Sequence, residues 1–572
     1  MELIQSQGGT AFDVNDLPLD DEKTYELLKS GNTTGVFQLE STGMKKILHD
    51  MQPDKIEDIV ALVSLYRPGP MDSIPDYIAC KKGEQKPDYM HPLIEDILKE
   101  TYGIMIYQEQ VMQISQAMAG YSLGGADLLR RAMGKKIVEE MDRQRSIFIE
   151  GALKNNVEKA VAEKDFDKMY KFASYGFNKS HAAAYAYIAY QTAYLKAHYP
   201  VEFMAATMTL DKTNTDKLAF FKNDLKQMNI EVLPPDINKS EVNFSVENGK
   251  VRYALSAVKN VGEAGMIQIV EERKANGPYK SMQDFFSRVD SSALNRRYVE
   301  NLAKAGAFDC IDKNRAKIFE NVENMLAYAA NATQSRKSSQ ISLFGASDSA
   351  ANSLKLKEVA DWPHIEKLEK EAESLGFYLS AHPLDAFDSV FERMRVVDYA
   401  DIAGMVQLTG AVRVSVAAIV SGVRERISQK GNKFAFVSAS DKSGAFELMC
   451  FSDMLAMNKE KLKSGQPLLL TINADKRPDD EQIRMNIQGV EYLSEVMAKS
   501  ASSLIIRVDS EKAVENLHKV LSVAESGRSK IYLIIQTQGY EVEIELARQY
   551  ALTPTMIDAL QHTSGLSEIK QV

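Results

Sequence analysis

The residues best equipped for chemistry lie in Gly176-Phe-Asn-Lys-Ser-His181, which follows Phe172-Ala-Ser-Tyr175 and leads into an apolar, tyrosine-rich stretch ending at Tyr199. Lys179, Ser180 and His181 set an ammonium, a hydroxyl and an imidazole at the mouth of a helix. Free backbone N–H groups and the helix dipole favour an anion there. Phosphate binding is the chemistry expected. Upstream, Leu128-Leu-Arg-Arg-Ala-Met-Gly-Lys-Lys136 gathers Arg130, Arg131, Lys135 and Lys136 behind the pair Gly124-Gly125, and such cations grip polyphosphate. Two clusters imply one nucleotide between them. Successive helical residues are ~100° apart, so Arg130 and Arg131 point differently, one toward phosphate and the other toward an acid. Asn178 or Ser180 can cap the helix while an oxyanion takes the remaining donors. His181 alone reads as a structural histidine rather than a catalytic acid. Tyr187, Tyr190 and Tyr194 fall at i, i+3 and i+7, a core-packing pattern; any of them or Tyr185 could stack on a base, and the sequence does not choose. Arg67, in the rigid Pro68-Gly-Pro70 turn, is a further candidate cation.

These groups must be positioned by a chain of 572 residues, 45% hydrophobic and 26% charged, which the length prior divides into roughly four soluble, globular domains. The opening Met-Glu-Leu-Ile-Gln-Ser has no basic or apolar signal region, and no apolar run reaches the ~18 residues of a membrane span. A cytoplasmic protein with no membrane partner is therefore expected. The three cysteines, Cys80, Cys310 and Cys450, are odd in number and far apart, which excludes a disulfide framework or a cysteine zinc knuckle. They are expected as buried thiols. The net charge of -10 argues against a protein coated in nucleic acid, yet association depends on where the cations lie, and here they cluster.

The fold class expected is multi-domain: mainly α in the first two domains, then an all-β OB-fold barrel and a small α+β carboxy-terminal domain. Residues 1–240 read as helical, with Ile56, Ile59, Leu62 and Val63 on one face and Leu233-Pro-Pro-Asp-Ile237 as the closing break. Residues 241–395 continue in short helices, interrupted by an exposed Ser/Ala/Asn-rich loop from Asn331 to Ser353. Residues 396–496 change period: Val412, Val414, Val416, Ala418 and Val420 alternate as a half-buried strand, Lys430-Gly-Asn432 makes a hairpin, and four more strands with one helix complete a five-stranded barrel. Residues 497–572 offer a strand, a helix, a hairpin and a short helix.

Two stretches resemble helix-hairpin-helix elements, Val258-Lys-Asn-Val-Gly-Glu263 and Leu302-Ala-Lys-Ala-Gly-Ala-Phe-Asp309. There Gly262 and Gly306 would let the backbone approach a DNA phosphate, with Lys259 and Lys304 neutralising it. The competing reading makes both glycines ordinary helix C-caps. In the barrel, Arg424, Arg426, Lys430 and Lys433 flank a hairpin beside Phe434 and Phe436, a composition suited to single-stranded DNA; at least one phenylalanine is expected in the barrel core. Gln340-Ile-Ser-Leu-Phe344 is either a loop folded back or an exposed peptide for a partner's pocket. Metal chemistry is not expected: Asp165 and Asp167 diverge on a helix and read as a solvated face, and the eight histidines include no HxxxH pair.

Gly35-Val-Phe-Gln-Leu-Glu-Ser41, Tyr66-Arg-Pro-Gly-Pro70, Tyr102-Gly-Ile-Met-Ile-Tyr-Gln-Glu-Gln110, Leu128 to Lys136 and Tyr175 to His181 resemble, in order and spacing, the fingers of the C-family of bacterial replicative DNA polymerases, the DNA polymerase III alpha subunit family. The likeness extends with decreasing strength to Val572. It implies that residues 1–240 are the fingers, that the double arginine contacts the incoming dNTP, and that 241–395 holds duplex DNA. In the family, an amino-terminal phosphoesterase-like domain and a palm with three metal-binding aspartates precede the region matching residue 1. The resemblance therefore implies a carboxy-terminal portion, inactive in isolation, with Mg2+ bound by the palm and none by this chain.

Its partners would be primer-template DNA, dNTP and the sliding clamp, with a clamp-loader tau subunit on the carboxy-terminal domain. Gln340, Ile341, Leu343 and Phe344 match the family's clamp-binding pentapeptide. The rival expectations are a non-catalytic DNA-binding scaffold built from the same modules, and a repair nuclease or ligase. Replacing Leu343 and Phe344 with alanine should remove two anchors worth about 2 kcal/mol or more each. Clamp affinity measured by surface plasmon resonance should then collapse while DNA affinity is unchanged; retained clamp affinity would refute the assignment.

Overall fold

The computed structural model describes residues 1–572 other than 136–137, 174, 338–352, 429–430, 464, 466, 477–482, 500–502, 538–539 and 572. The chain divides into two compact units, Met1–Met204 and Ala205–Val572. The division falls ahead of the proline break read as the end of the first domain. The reason is pairing: Val232 and Leu233 join Val251 and Arg252 in a small parallel ladder, which commits that segment to the second unit.

The first unit contains helices α1 (Glu22–Ser30), α2 (Thr42–Met51), α3 (Ile56–Leu65), α4 (Gln108–Ala119), α5 (Leu123–Lys135), α6 (Val138–Lys154), α7 (Lys159–Ala173) and α8 (Lys179–His198). Side chains cap several of them: Asp21 accepts from Thr24 N at 2.8 Å, and Ser41 from Met44 N at 3.3 Å. Helix α8 buries Ala182, Ala186, Ala189 and Ala193 in one core with Ile59 and Leu62 of α3. These alanines recur every three or four residues, so one narrow face approaches α3 closely. A second core joins Val111, Ile114 and Met118 of α4 to Leu129, Phe148, Phe166 and Met169. At its tightest point a Cβ on Gly151 would lie 2.1 Å from Ala119 O, so only glycine lets α6 meet the end of α4. Asp165 differs from expectation. It is 2% exposed, and burial raises its carboxyl above the usual range. Neighbouring Asp167 instead pairs with Arg145 on the outside, as the divergence of i and i+2 demands.

In the second unit come α9 (Glu263–Asn276), α10 (Arg296–Lys304), α11 (Val322–Lys337) and α12 (His364–Leu375). Helix α11 runs through 331–337, the beginning of the stretch read as loop. The barrel is closed, with β1 (Ala411–Ile427), β2 (Lys433–Asp441), β3 (Gly444–Cys450), β4 (Pro467–Asp475) and β5 (Arg484–Tyr492) in the order β1-β2-β3-β5-β4. That OB-like connectivity was expected, as was a helix after β3, here Ser452–Asn458. Strand β1 is not half-buried throughout: Val416 to Val420 are all buried. Val416, Ala418 and Val420 face the barrel interior, while Ala417 and Ile419 are covered by Phe387, Phe391 and Leu493 in the next core. That core belongs to the carboxy-terminal sheet, β6 (Leu504–Val508), β7 (Ile531–Thr537), β8 (Tyr540–Glu545) and β9 (Leu566–Gln571), ordered β8-β7-β6-β9 and packed with α13 (Glu511–Ser522) and α14 (Pro554–Gln561). Strand β9 was not expected. Cys80 and Cys450 are buried, but Cys310 is exposed.

The segment Tyr378–His382 locks helix and barrel together within this unit. Lys222 Nζ donates to Tyr378 O at 2.7 Å, and Glu371 Oε1 accepts from Leu379 N and Ser380 N at 2.8 Å each. His382 Nδ1 accepts from Leu384 N at 3.2 Å, and Nε2 lies 3.2 Å from Ser440 Oγ on β2. A second ring proton would oppose the Leu384 N–H. Burial, with Lys222 adding repulsion, pushes the imidazole pKa down to about 3. Because the unfolded ring titrates near 6.5, the unfolded chain binds the extra proton between those values. His382 thus contributes stability above pH 6.5 that is lost as pH falls toward 3. Urea unfolding of His382→Gln against pH should show a shallower acid limb than the parent between pH 6 and 4; superimposable limbs would contradict this.

Candidate functional site

The Gly176–His181 segment is tied to the 104–110 segment by backbone pairing. Phe177 N donates to Ile106 O at 3.0 Å and Gln108 N to Phe177 O at 2.8 Å. The Gln108 carboxamide extends the tie. Its Nε2 donates to Gly176 O at 2.9 Å, and its Oε1 accepts from Arg130 Nη1 at 3.1 Å. Arg67 grasps the adjoining carbonyl, donating from Nη2 to Tyr175 O at 2.9 Å with its guanidinium 4.3 Å from the Phe177 ring centre. Burial draws that guanidinium below its ordinary pKa. The turn carrying Arg67 closes through Gly69, at φ +100°, where a Cβ would meet Tyr175 Cε1 at 2.6 Å.

Carboxylates already engage the cations. Arg130 Nη2 meets Asp127 Oδ1 at 2.7 Å, and Arg131 Nη2 meets Asp127 Oδ2 at 2.7 Å. One acid was expected to engage one arginine; it engages both, because Asp127 lies three and four residues before them on α5. The two guanidiniums, Arg130's hydrogen bond foremost, hold the Asp127 carboxyl below its usual range. Lys179 Nζ meets Glu100 Oε2 at 2.6 Å. At the mouth of α8, Lys179 N and Asn178 Nδ2 each donate to the Glu109 carboxylate at 2.9 Å, while Asn178 Oδ1 accepts from His181 N at 2.8 Å. Asn178, not Ser180, is therefore the cap. Glu109 shows that the helix mouth accepts an anion.

The exposed His181 ring lies 5.5 Å from Phe177 and 4.5 Å from Tyr185, which in turn lies 5.4 Å from Phe37. The other tyrosines are engaged elsewhere: Tyr190 is fully buried, Tyr187 donates to Asn15 O at 2.5 Å, and Tyr194 stacks on His198. Arg67, Arg130, Lys179, Ser180 and His181 thus belong to, or bond directly or through Gln108 to, one segment, Tyr175–His181. Arg131 joins only through Asp127, with its side chain 63% exposed. Gln108, Glu100, Glu109 and Asp127 were not singled out in the sequence. Asp127 had a signal in its helical spacing from the two arginines, whereas Gln108, Glu100 and Glu109 reach partners across loops, where no spacing rule applies.

Three of the expected positions fall outside the described residues: the clamp-type pentapeptide Gln340, Ile341, Leu343 and Phe344, the side chains of Lys135 and Lys136, and Lys430. The family's Mg2+ also finds no fitting set here. Among the described residues no three carboxylates come close enough to hold an ion, and no chemical step is derived through one.

In the second unit, Gly262 caps α9, and a Cβ there would meet Tyr298 Oη at 2.1 Å. Gly306, at φ +77°, follows α10 beneath the Arg315 guanidinium. Lys304 pairs with Glu373 at 2.9 Å, and Lys259 lines a cavity of about 640 Å3 with Lys222, Tyr378 and His382. Gly262 is thus an N-cap and not the C-cap expected, while Gly306 follows its helix at the positive φ that favours glycine. In the barrel, Phe434 and Phe436 lie outside the core, alternating with buried Ala435 and Val437. Their rings meet edge-on at 5.5 Å. They stand opposite Arg426 and Arg424 on β1, and directly opposed residues share a face. Arg424 pairs with Glu447, and Lys433 is exposed beside Phe434.

The chain thus combines a helical unit carrying a cation-rich segment with a second unit made of a helical region, a closed five-stranded barrel and an α+β domain. Residues 1–156 match the model of the bacterial DNA polymerase III alpha subunit finger domain, and residues 229–318 that of the helix-hairpin-helix motif. The chain is 43% identical over 567 residues, 99% of its length, to a DNA polymerase III subunit alpha of Caulobacter vibrioides, covering 49% of that protein. The corresponding Neisseria meningitidis protein is 41% identical across 96% of the chain and 48% of its own length, and that of Thermus aquaticus 41% identical across 93% and 43%. The chain belongs to the DNA polymerase III alpha subunit family and spans about half the length of the relatives it matches.

Because neither phenylalanine supports the barrel core, Phe434→Ala with Phe436→Ala should leave the melting temperature nearly unchanged. The same pair should lower oligothymidylate affinity by about 1–3 kcal/mol per stacked base, read by fluorescence anisotropy. Unaltered affinity would remove the surface from consideration.

Proposed function

We propose that this chain is the portion of a replicative DNA polymerase that grips the incoming dNTP, holds primer-template DNA and tethers the enzyme to its sliding clamp. The observation that carries the nucleotide reading is the Gln108 carboxamide, which joins Arg130 to Gly176 and so brings the two basic blocks to one segment. A triphosphate placed there would displace Asp127, Glu100 and Glu109 from Arg130, Lys179 and the mouth of α8. It would exchange single carboxylates for a bidentate, multiply charged ligand. Tyr185, beside His181, would meet the base. Arg131, more exposed, serves the outer phosphate.

Duplex contact would rest on the helix-hairpin-helix region, through Lys259, Lys304 and the backbone at Gly262 and Gly306, without reading bases. Single-stranded template would run over Phe434 and Phe436 between Arg424, Lys430 and Lys433. The pentapeptide at Gln340–Phe344 would bind the clamp, turning rebinding into an intramolecular event through effective concentration. Mg2+ chemistry would come from carboxylates outside the described set, and a tau-type partner would dock on the carboxy-terminal domain.

A second reading, a non-catalytic scaffold, is favoured by one observation: the cations Arg130, Arg131 and Lys179 are each engaged by a carboxylate and could serve packing alone. Equilibrium binding of a Mg-dNTP to the full chain on primer-template DNA separates the two. Arg130→Ala and Lys179→Ala should each cost about 1.5–3 kcal/mol, the value of a charge-assisted hydrogen bond, at least a tenfold loss. Parent and variant binding equally would favour the scaffold.

A further inference from the structure

Outside the surfaces already described, one cluster of titratable side chains has the composition of a metal centre. His364 opens α12, directly after Pro363, and Asp558 and His562 lie four residues apart at the end of α14. That i, i+4 spacing sets the carboxylate and the imidazole on one helix face. From each of the three residues one ligand atom can be chosen such that all lie within 4.8 Å of one another. Around a tetrahedral ion, ligand atoms ~2.1 Å from the metal stand ~3.4 Å apart. Side-chain movements of roughly 1–1.5 Å therefore close the set.

We infer that His364, Asp558 and His562 bind one divalent transition-metal ion, zinc in chemical preference, which cross-links the start of α12 to the end of α14. Four features of the cluster support this. Asp558 is a buried residue whose side chain is 12% exposed, and a buried carboxylate is costly unless it is paired or coordinated. Its ion-pair partner is His562 Nδ1, at 3.5 Å, longer than a hydrogen bond. The same Nδ1 lies 2.9 Å from Asp558 O; a proton held on Nδ1 by that carbonyl leaves the Nε2 lone pair available to a cation, the usual way an outer partner fixes the tautomer of a ligating histidine. The two imidazole centres lie 3.9 Å apart, so both rings are already at the cluster and need only tilt apart to aim their in-plane lone pairs at one ion.

Two imidazoles and one carboxylate select zinc and its neighbours over magnesium or calcium, which take oxygen sets. His562 is half exposed, so the fourth position faces water. The sequence held a trace of this site in the Asp558-x-x-x-His562 spacing, which a search for paired histidines passes over.

The test uses the full chain, stripped with a chelator and titrated with zinc chloride by calorimetry, with cobalt(II) as a spectroscopic probe. A Cys310→Ser background excludes the exposed thiol. The expected result is one ion per chain, visible cobalt bands of a low-coordinate nitrogen and oxygen site, and a zinc-dependent rise in melting temperature. His562→Gln, at an exposed position that the fold tolerates, should weaken zinc binding at least roughly 100-fold, since loss even of an outer partner costs 10–100-fold. It should also abolish the thermal shift. Asp558→Asn and His364→Gln should do the same, and circular dichroism of the His562→Gln protein keeps the result readable if either buried variant fails to fold. Equal zinc affinity in parent and His562→Gln, or no stoichiometric uptake by the parent, overturns the site and leaves the stacked rings as a packing contact.

Discussion

The two backbone hydrogen bonds that join Ile106 and Gln108 to Phe177 are the constraint on which the first unit's chemistry depends. They fuse two segments far apart in sequence into one short parallel pairing, and everything chemical hangs from it. Gln108, held on one side of that pairing, reaches both Gly176 and Arg130. Glu109, next in sequence, reaches the mouth of α8. Arg67 completes the enclosure from a turn that only a glycine at position 69 permits. Backbone pairing is the right device for this purpose, since it fixes a segment's position without using side chains that must face a ligand.

Much of this was legible beforehand, and the reasons differ by element. The barrel is legible almost strand for strand because a period of two is unambiguous when Val412, Val414 and Val416 alternate with Arg413, Ser415 and Ala417. What alternation does not reveal is whether the outer face is itself covered. Ala417 and Ile419 are buried by a core that draws on Phe387, Phe391 and Leu493, so β1 is interior on both sides from Val416 to Val420. Phe434 and Phe436 failed in the opposite direction. Large aromatics suggest a core, but their register beside Ala435 and Val437 sends them outward. Asp165 was misread because charge suggests solvent, whereas helix phase puts it with Phe166 and Met169.

The candidate nucleotide site was legible in its cations and not in its acids. Basic residues announce themselves by clustering in sequence; Glu100 and Glu109 come from separate places and meet Lys179 and the mouth of α8 only in the fold, and Asp127 alone stood at a helical pairing distance from its arginines. Strand β9 was missed for a related reason, since its six residues pair with β6 rather than with a sequence neighbour.

The carboxylates seated on Arg130, Lys179 and the mouth of α8 carry a consequence for selectivity. Each is tethered to the same molecule and so competes at very high effective concentration with any anion arriving from solution. Chloride, acetate or a single phosphate offers too little charge to unseat several at once. A chain of linked phosphates can, because its successive charges arrive together. Internal acids of this kind would act as a valence threshold, keeping the pocket shut to the cell's abundant small anions and opening it only to polyanions.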